Sequence, residues 1–443
     1  MDDLDVVGVG LGPFNLGLAA LLEPVTDVRA AFFEAAPEFA WHPGLMLPGA
    51  TLQVPFLADL VTMADPTSRH SFLNYLHERG RLYRFYFYER FHVPRREYDA
   101  YARRVAGSLP ACRFGSRVES VTPTDGGWTV AVRTADGSVE HHRTRHVVFG
   151  VGSRPWVPRP ARQDLGAEIF HSADYLTYRE KAVTADAVTV VGSGQSAGEI
   201  VADLLETGLH TGMSLDWFTR SRGFMPMEYS KLGLEHFTPE YTAHFHGLAP
   251  HVRDEVRSGQ DLLYKGLSAG TGERIYDLLY EATIDHDDPP VTYAGGCELR
   301  AVEPSPQPGR RWRLSWHHRD EGRTFSRDTD VVVLATGHVA AEPPIDGALL
   351  ARDHAGRPII DAGYRLALAD GAPSTLFVQN AELHTHGVGA PDLGLGAHRN
   401  SVIVNALAGR CVYPEPSRTV FQRFGTAALA DTADEPEPLE DPA

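Results

Sequence analysis

Cysteine is scarce in this chain of 443 residues: Cys112, Cys297 and Cys411 lie far apart, with no C-x-x-C pair. That pattern excludes a disulfide framework, a cysteine zinc site and a thiol-relay reductase, and no metal-ligand set is expected. Long apolar runs are also missing. None approaches the ~20 residues needed to cross a bilayer, so no membrane partner is expected. Basic charge is in deficit, with 41 Lys+Arg against 58 Asp+Glu and a net charge of −17. Nucleic acid is therefore not an expected partner, because phosphate binding needs a basic face. The start, Met1-Asp2-Asp3, lacks the basic and apolar pattern of a secretory leader, and the cytoplasm is the expected compartment. A negative field favours a cationic small substrate, although net charge bears first on solubility.

What the chain does have is ordinary globular content, 43% hydrophobic and 22% charged, and enough length for two or three domains. It also has two glycine-rich turns, each between an apolar run and a helical pattern. One is DVVGVGLGPFNLGLAALL (5–22); the other is AVTVVGSGQSAGEIVADLL (187–205). A strand, a tight turn and a helix N-terminus together hold a pyrophosphate on backbone N–H groups. Two such units imply two dinucleotides, most simply FAD and NAD(P)H. In the first, Gly8, Gly10 and Gly12 form the turn and Pro13 opens the helix, where a missing N–H costs nothing. Gly10 is expected to face the pyrophosphate, with Phe14 beside it and Asn15 bonding either the turn or the phosphate. Glu34 ends the next strand, where an acid bonds ribose hydroxyls. In the second, Gly192, Gly194, Gln195 and Ser196 form the turn. Its following strand ends at Arg220 and Arg222 rather than an acid, which favours the 2′-phosphate of NADPH. DVVVLATG, with Thr336 and Gly337, ends an apolar strand in small residues that allow a nucleotide or a domain crossing close to the backbone.

The expected fold class is α/β, with two Rossmann-like dinucleotide-binding domains, for FAD and NADPH, and a small helical substrate region. The expected division is 1–160 for the first part of the FAD-binding domain and 161–228 for the first part of the NADPH-binding domain. Residues 229–284 form the helical substrate region. Residues 285–343 and 344–425 return to the NADPH-binding and FAD-binding domains, and 426–443 form a disordered acidic tail. Strands are expected at 5–10, 28–34, 128–133, 146–152, 188–191, 214–219, within 311–336 and at 375–380. Helices are expected at 13–22, across 71–106 and 224–284, and at 398–407.

GVGLGPFNL, FFEAAPEFAWHPGLMLPGATLQVPFLADL, VVGSGQSAGE, HFTPEY, VVVLATGH and THGV, in this order, resemble the flavin-dependent N-hydroxylating monooxygenases of hydroxamate siderophore biosynthesis. The likeness runs from about residue 4 to about 410. It implies that NADPH reduces FAD, that O₂ adds, and that a flavin hydroperoxide passes one oxygen to a primary amine. That amine must be neutral to attack, so a pKa near ~10.4 has to be lowered or the proton removed. The likeness also implies that Trp41, His42, Pro43 and Gln53 line the flavin, with Gln53 reaching the nicotinamide or flavin edge. His42 reads equally as a general base or a structural hydrogen-bonder. Ser268 is expected near the nicotinamide, His386 and Gly387 at the cofactor, and Gly394 at the substrate. A homo-oligomer, dimer or tetramer, is implied as well.

Two departures bear on the substrate. Relatives acting on ornithine or lysine carry a lysine in F-L-K-D-L that pairs with the substrate carboxylate; here the string is FLADL, with Ala58. Ornithine enzymes carry an asparagine where Leu234 precedes Glu235. Losing a carboxylate's partner disfavours an amino acid and suits an aliphatic diamine such as cadaverine or putrescine. Asp59, Asp65, Glu235 or a backbone carbonyl are the candidate acceptors for the remote ammonium. The competing readings are an amino acid held by another cation, Arg69 or Lys231, and, in a different class, a non-catalytic flavoprotein sensor.

Overall fold

The computed structural model describes residues 4–208, 212–285, 288–415 and 418–426. The expected acidic tail therefore lies, beyond residue 426, outside the described residues. The first apolar run forms the strand Leu4–Val9, buried along nearly its whole length, and runs through the glycine turn into the helix Pro13–Leu22. Such two-sided burial is what a central parallel strand requires. Ala30–Phe33 flanks it in parallel on one side, and the last residues of Val139–Phe149 flank it on the other. The short strand Leu376–Val378 from late in the chain pairs in parallel with that same end of Val139–Phe149. The front of Val139–Phe149 is antiparallel to Gly127–Arg133, which pairs with Arg117–Thr124. One strand thus serves a parallel half that carries the nucleotide turn and an antiparallel half that covers it.

The second sheet is parallel throughout, in the order Val291–Ala294, Ser214–Phe218, Ala187–Val191, Val331–Leu334, Ile169–His171. The second glycine turn leads from Ala187–Val191 into the helix Gln195–Gly208. A separate antiparallel sheet, Cys297–Pro304, Trp312–His318 and Arg323–Thr329, packs on it through Trp316, which is fully buried against Phe218. Ser153–Pro155 and His338–Ala340 pair antiparallel where the chain passes between the two sheets.

The helical segment expected from 224 begins later, at Lys231–Leu234. It continues through Pro239–Gly247, Pro250–Gly259, Asp261–Tyr264 and Ala269–Ala282. Residues 224–230 are extended instead, with Pro226 bridged to Leu267. Proline lacks the N–H for a helical bond, and Ser230 supplies the cap that starts the helix. Arg117–Thr124 and Cys297–Pro304 were not expected as strands, because their apolar residues are interrupted by charged ones on the solvent face.

The helix Arg95–Ala106, which packs with the first sheet's core, sends Arg95 across to the second unit. Its guanidinium makes a two-pronged ion pair with Glu199 on Gln195–Gly208, at 2.8 and 3.0 Å, and donates to the Leu45 carbonyl at 2.6 Å. Both side chains are about nine-tenths or more buried. Removing one partner of such a pair strands the other charge and costs about 3–5 kcal/mol. Arg95→Ala is expected to lower unfolding stability by that amount in urea denaturation. A loss below ~0.5 kcal/mol would show that the pair does not join the two halves.

Candidate active site

Gly8 packs against the Phe32 ring inside the first strand. Gly10 has φ +84°, and a Cβ on it would stand 2.5 Å from the Gly150 carbonyl oxygen. Close approach of the neighbouring strand end thus already requires glycine here, whatever the turn binds. Gly12 is the open position. A Cβ there would touch nothing, and no side chain caps the helix that Pro13 starts, so its first-turn N–H groups face free space. That cradle suits a pyrophosphate. Asn15 bonds the turn: it donates to the Gly10 carbonyl at 2.8 Å and accepts from Gln379 at 2.7 Å. The Glu34 carboxylate accepts from the N–H groups of Leu11 (2.9 Å) and Ala36 (2.8 Å), closing the turn onto the second strand. The Phe14 ring carries the Arg399 guanidinium at 4.6 Å.

The second turn repeats the device. Gly192 has φ +133°, and its Cβ would lie 2.1 Å from the Ala335 carbonyl, while Gly194 faces open space. Gln195 is clamped: its amide donates to Thr271 (2.8 Å) and Glu199 (3.0 Å), and its carbonyl accepts from the Ser268 N–H (2.8 Å). Arg220 stacks over Trp156 at 5.2 Å, and Arg222 is exposed, 3.6 Å from Asp320. Both arginines follow the strand Ser214–Phe218, where a 2′-phosphate is met.

Beside the second turn, where the chain crosses between the two units, lies a cleft of about 690 Å³ with mainly apolar walls. Trp41, His42, Gln53 and Ala58 line it from the first unit. Gly194, Gln195 and Ser196 line it from the second, Gly337 and His338 from the crossing, and Leu234 and Phe237 from the helices. Asp392 and Gly394 complete it from the last lobe. The reading from sequence missed Arg95, Tyr229, His338 and Asp392, which also line it. His338 ends the string VVVLATGH and Asp392 lies two residues before Gly394, but nothing local to them shows which wall they face.

Pro43 starts a short 3₁₀ turn, and His42 before it holds a left-handed φ of 49°. That places the His42 ring at 4.9 Å from Trp41 and 6.3 Å from His338, which in turn stands 5.0 Å from His171. Burial, with Arg95 and His338 nearby, pushes the His42 imidazole down to about 4, and burial lowers His338 as well. Both rings are neutral at physiological pH. A neutral, largely apolar wall disfavours an ammonium beside it.

Several expected site residues lie elsewhere. The Ser268 hydroxyl caps Ala269–Ala282 and contacts Thr271 at 2.9 Å; it does not line the cleft, and only its N–H touches the site, through Gln195. Asp59 is buried and spends its carboxylate on the N–H groups of Val61, Thr62 and Phe72 and on the Thr62 hydroxyl. Glu235 accepts from the N–H groups of Phe421 (3.1 Å) and Gln422 (2.9 Å), away from the cleft. His386 is buried against Tyr364 at 4.4 Å, and Gly387 packs on Phe245. Thr336 donates to the Trp156 carbonyl at 2.5 Å and so fastens the crossing. Among the described residues no group of three or more His, Cys, Asp or Glu could hold a metal ion, and no helix is long and apolar enough to cross a membrane.

Residues 2–340 match the model of the L-lysine 6-monooxygenase/L-ornithine 5-monooxygenase family. The rhizobactin siderophore biosynthesis protein RhbE of Rhizobium meliloti is 46% identical over 436 residues, covering 96% of each chain. The putrescine N-hydroxylase of Acinetobacter baumannii is 38% identical over 95% of this chain and 93% of its own. Among solved structures, the FAD-bound cadaverine monooxygenase DfoA of the desferrioxamine pathway of Erwinia amylovora superposes with a TM-score of 0.91. It is 38% identical and covers 96% of this chain and 99% of its own.

Two expectations follow from the turns. Gly12→Val should leave the thermal midpoint of the flavin-free protein near wild type yet abolish flavin retention, whereas Gly10→Val should lower both. Wild-type flavin content in purified Gly12→Val would remove the first turn as the flavin site. Replacing Arg220 and Arg222 together by alanine should weaken NADPH binding about 10- to 150-fold, the worth of one charge-assisted hydrogen bond, and leave NADH unchanged. An unaltered NADPH-to-NADH ratio of Kd values would assign the 2′-phosphate to another residue.

Proposed function

The chain belongs to the L-lysine 6-monooxygenase/L-ornithine 5-monooxygenase family, and from that premise we propose that it is an FAD- and NADPH-dependent monooxygenase. In this reading it hydroxylates one primary amine of a short aliphatic diamine, cadaverine or putrescine, with O₂, as a step toward a hydroxamate siderophore. Residues 1–160 and 344–425 are taken as the FAD-binding unit, 161–228 and 285–343 as the NADPH-binding unit, and 229–284 as the substrate helices.

The observation that carries the choice of substrate is the state of the charges around the cleft. Arg95 is tied to Glu199, Lys265 is tied to Asp261 at 2.6 Å, and the two lining histidines are neutral. Every lining Lys or Arg among the described residues already has a carboxylate partner, in a buried pair for Arg95 and a half-exposed one for Lys265. Ala58 stands on the wall, and a Cβ on Gly394 would lie 3.8 Å from it. Arg69 is paired with Glu23 on the surface, and neither it nor Lys231 lines the cleft. A carboxylate entering this site would have to displace one of these partners or lose water without one, the latter at a cost of several kcal/mol.

When bound, the flavin and the nicotinamide supply reducing equivalents and oxygen activation. The chain's own residues do the rest. The backbone N–H groups after Gly12 and Gly194 hold the two pyrophosphates, and Gln195, clamped from three sides, fixes the second turn against the cleft. Trp41, Leu234 and Phe237 exclude water. His42, neutral and on the wall, can accept a hydrogen bond from the reacting amine; with its imidazole held down to about 4 it does not keep the amine's proton, whose loss the apolar lining makes easier.

The test is a comparison of kcat/KM for cadaverine, putrescine, L-lysine and L-ornithine, read as hydroxylamine product rather than NADPH oxidation. The diamines are expected to exceed the amino acids by about 100-fold or more. A value for lysine or ornithine equal to or above the diamines would overturn the reading. Ala58→Lys should depress diamine turnover through like-charge repulsion, and an unaffected rate would place residue 58 away from the substrate.

A further inference from the structure

A diamine that presents one neutral amine for oxidation still carries an ammonium at its other end. Such a group, taken out of water, needs a carboxylate or several carbonyl oxygens around it. The carboxylates offered by the sequence do not meet this need: Asp59 is consumed inside its own loop, Asp65 accepts from the Thr67 N–H and hydroxyl and does not line the cleft, and Glu235 is bonded to the C-terminal segment. Two carboxylates line the cleft, Glu228 and Asp392. Glu228 is exposed and accepts from the Ser230 N–H at 2.5 Å, at the start of a helix that its own loop caps.

Asp392 differs in each respect. It is half-buried on the cleft wall in the loop before the last helix. One oxygen, Oδ1, accepts from the Gly394 N–H at 2.7 Å, which fixes the side chain's direction. No Lys, Arg or His forms an ion pair with it among the described residues; Arg399 acts on it only at longer range and is itself bonded to Glu382 and the Ala390 carbonyl. Ala58 and Gly394, small residues, stand together beside it. Tyr229, another residue lining the cleft, is held above its ordinary phenol pKa by burial and by the charge of Asp392. The wall thus has an oriented carboxylate without a cation, next to space opened by two missing side chains.

We propose that Asp392 is the specificity residue that receives the distal ammonium of the diamine, with Ala58 and Gly394 leaving room for that end of the chain. This rests on the diamine reading above. It adds an assignment of polarity: the reacting amine lies toward His42 and the nucleotide turns, and the far ammonium lies toward the last lobe. A simple monoamine would leave Asp392 unpaired and is expected to be the poorer substrate.

Burial pushes the Asp392 carboxyl up to about 6, against the opposing pull of the Gly394 and Leu395 N–H groups and Arg399. The groups facing it, Tyr229 and Arg399, keep one charge state through this range. The carboxyl is ionised above pH 6 and neutral below, so the KM for a diamine should rise as pH falls through about 6. The KM for n-pentylamine should not.

The experiment compares cadaverine with n-pentylamine in wild type, Asp392→Asn and Asp392→Glu, with flavin content confirming each fold. Asparagine keeps an Oδ1 acceptor for the Gly394 N–H and removes only the charge. It is expected to lower kcat/KM for cadaverine about 10- to 150-fold, mainly through KM, while sparing n-pentylamine. Asp392→Glu, which extends the carboxylate by one methylene, should shift preference from cadaverine toward putrescine. Equal losses for both amines in Asp392→Asn, or an unchanged cadaverine-to-pentylamine ratio, would overturn the proposal and leave the residue a loop cap. Failure of the diamine reading itself looks different: wild type would then prefer lysine or ornithine before any substitution is made.

Discussion

Two carbonyl groups control the architecture. The backbone at Gly10 lies against the Gly150 carbonyl, and the backbone at Gly192 lies against the Ala335 carbonyl, each too close for any Cβ. Both carbonyls sit at the ends of strands adjacent to a nucleotide turn. The chain leaves those ends directly into Ser153–Pro155 and His338–Ala340, which pair with each other. The same few residues therefore fix where each dinucleotide turn lies and where the chain crosses between units. The cleft opens beside these paired crossings and the second turn. Gly337 and His338 line it as a consequence of the crossing, with the His171 ring packed on His338 behind.

The charges around that cleft are arranged by cancellation. Arg95 and Glu199 are nearly buried, and burying two charges offers little net stability compared with an apolar pair. Their value lies in position. Arg95 comes from a helix of the first unit and Glu199 from the helix after the second glycine turn, and Glu199 also receives Gln195. A misplacement of either unit would leave a charge stranded in a dry interface. Cancelling the positive charge also leaves the cleft with unpaired carboxylate rather than unpaired cation. The histidines contribute to the same balance, since burial holds them neutral.

Much of the scaffold was legible because its signals are local. A glycine with positive φ, a proline at the first helical position and an apolar run of five or six residues each constrain only their neighbours, and both strand–turn–helix units stand where those signals put them. The antiparallel strands at 117–124 and 297–304 were not legible, because one-sided burial interleaves apolar and charged residues with no turn signal strong enough to frame them. The start of the helical segment was misplaced by seven residues for a related reason. Pro226 and the extended bridge to Leu267 are decided by a partner 41 residues away.

The sequence by itself determined the chemistry available: two dinucleotide turns, arginines in place of a ribose-binding acid at the second, and the absence of a lysine at position 58. Each is a matter of residue type at a fixed offset, which the chain carries whatever its fold. Only the tertiary structure decided which polar groups remain free. Asp59, Glu235, Asp392, Ser268 and Asn15 are all hydrogen-bonding residues near recognisable motifs, and nothing in their neighbours ranks them. Four of the five spend their side chains on backbone or capping bonds. Asp392 spends one oxygen on its own turn and turns to the cleft with no cation beside it. Whether a polar group is spent or available depends on what long-range packing brings to it, and that is set by the fold rather than by the residue.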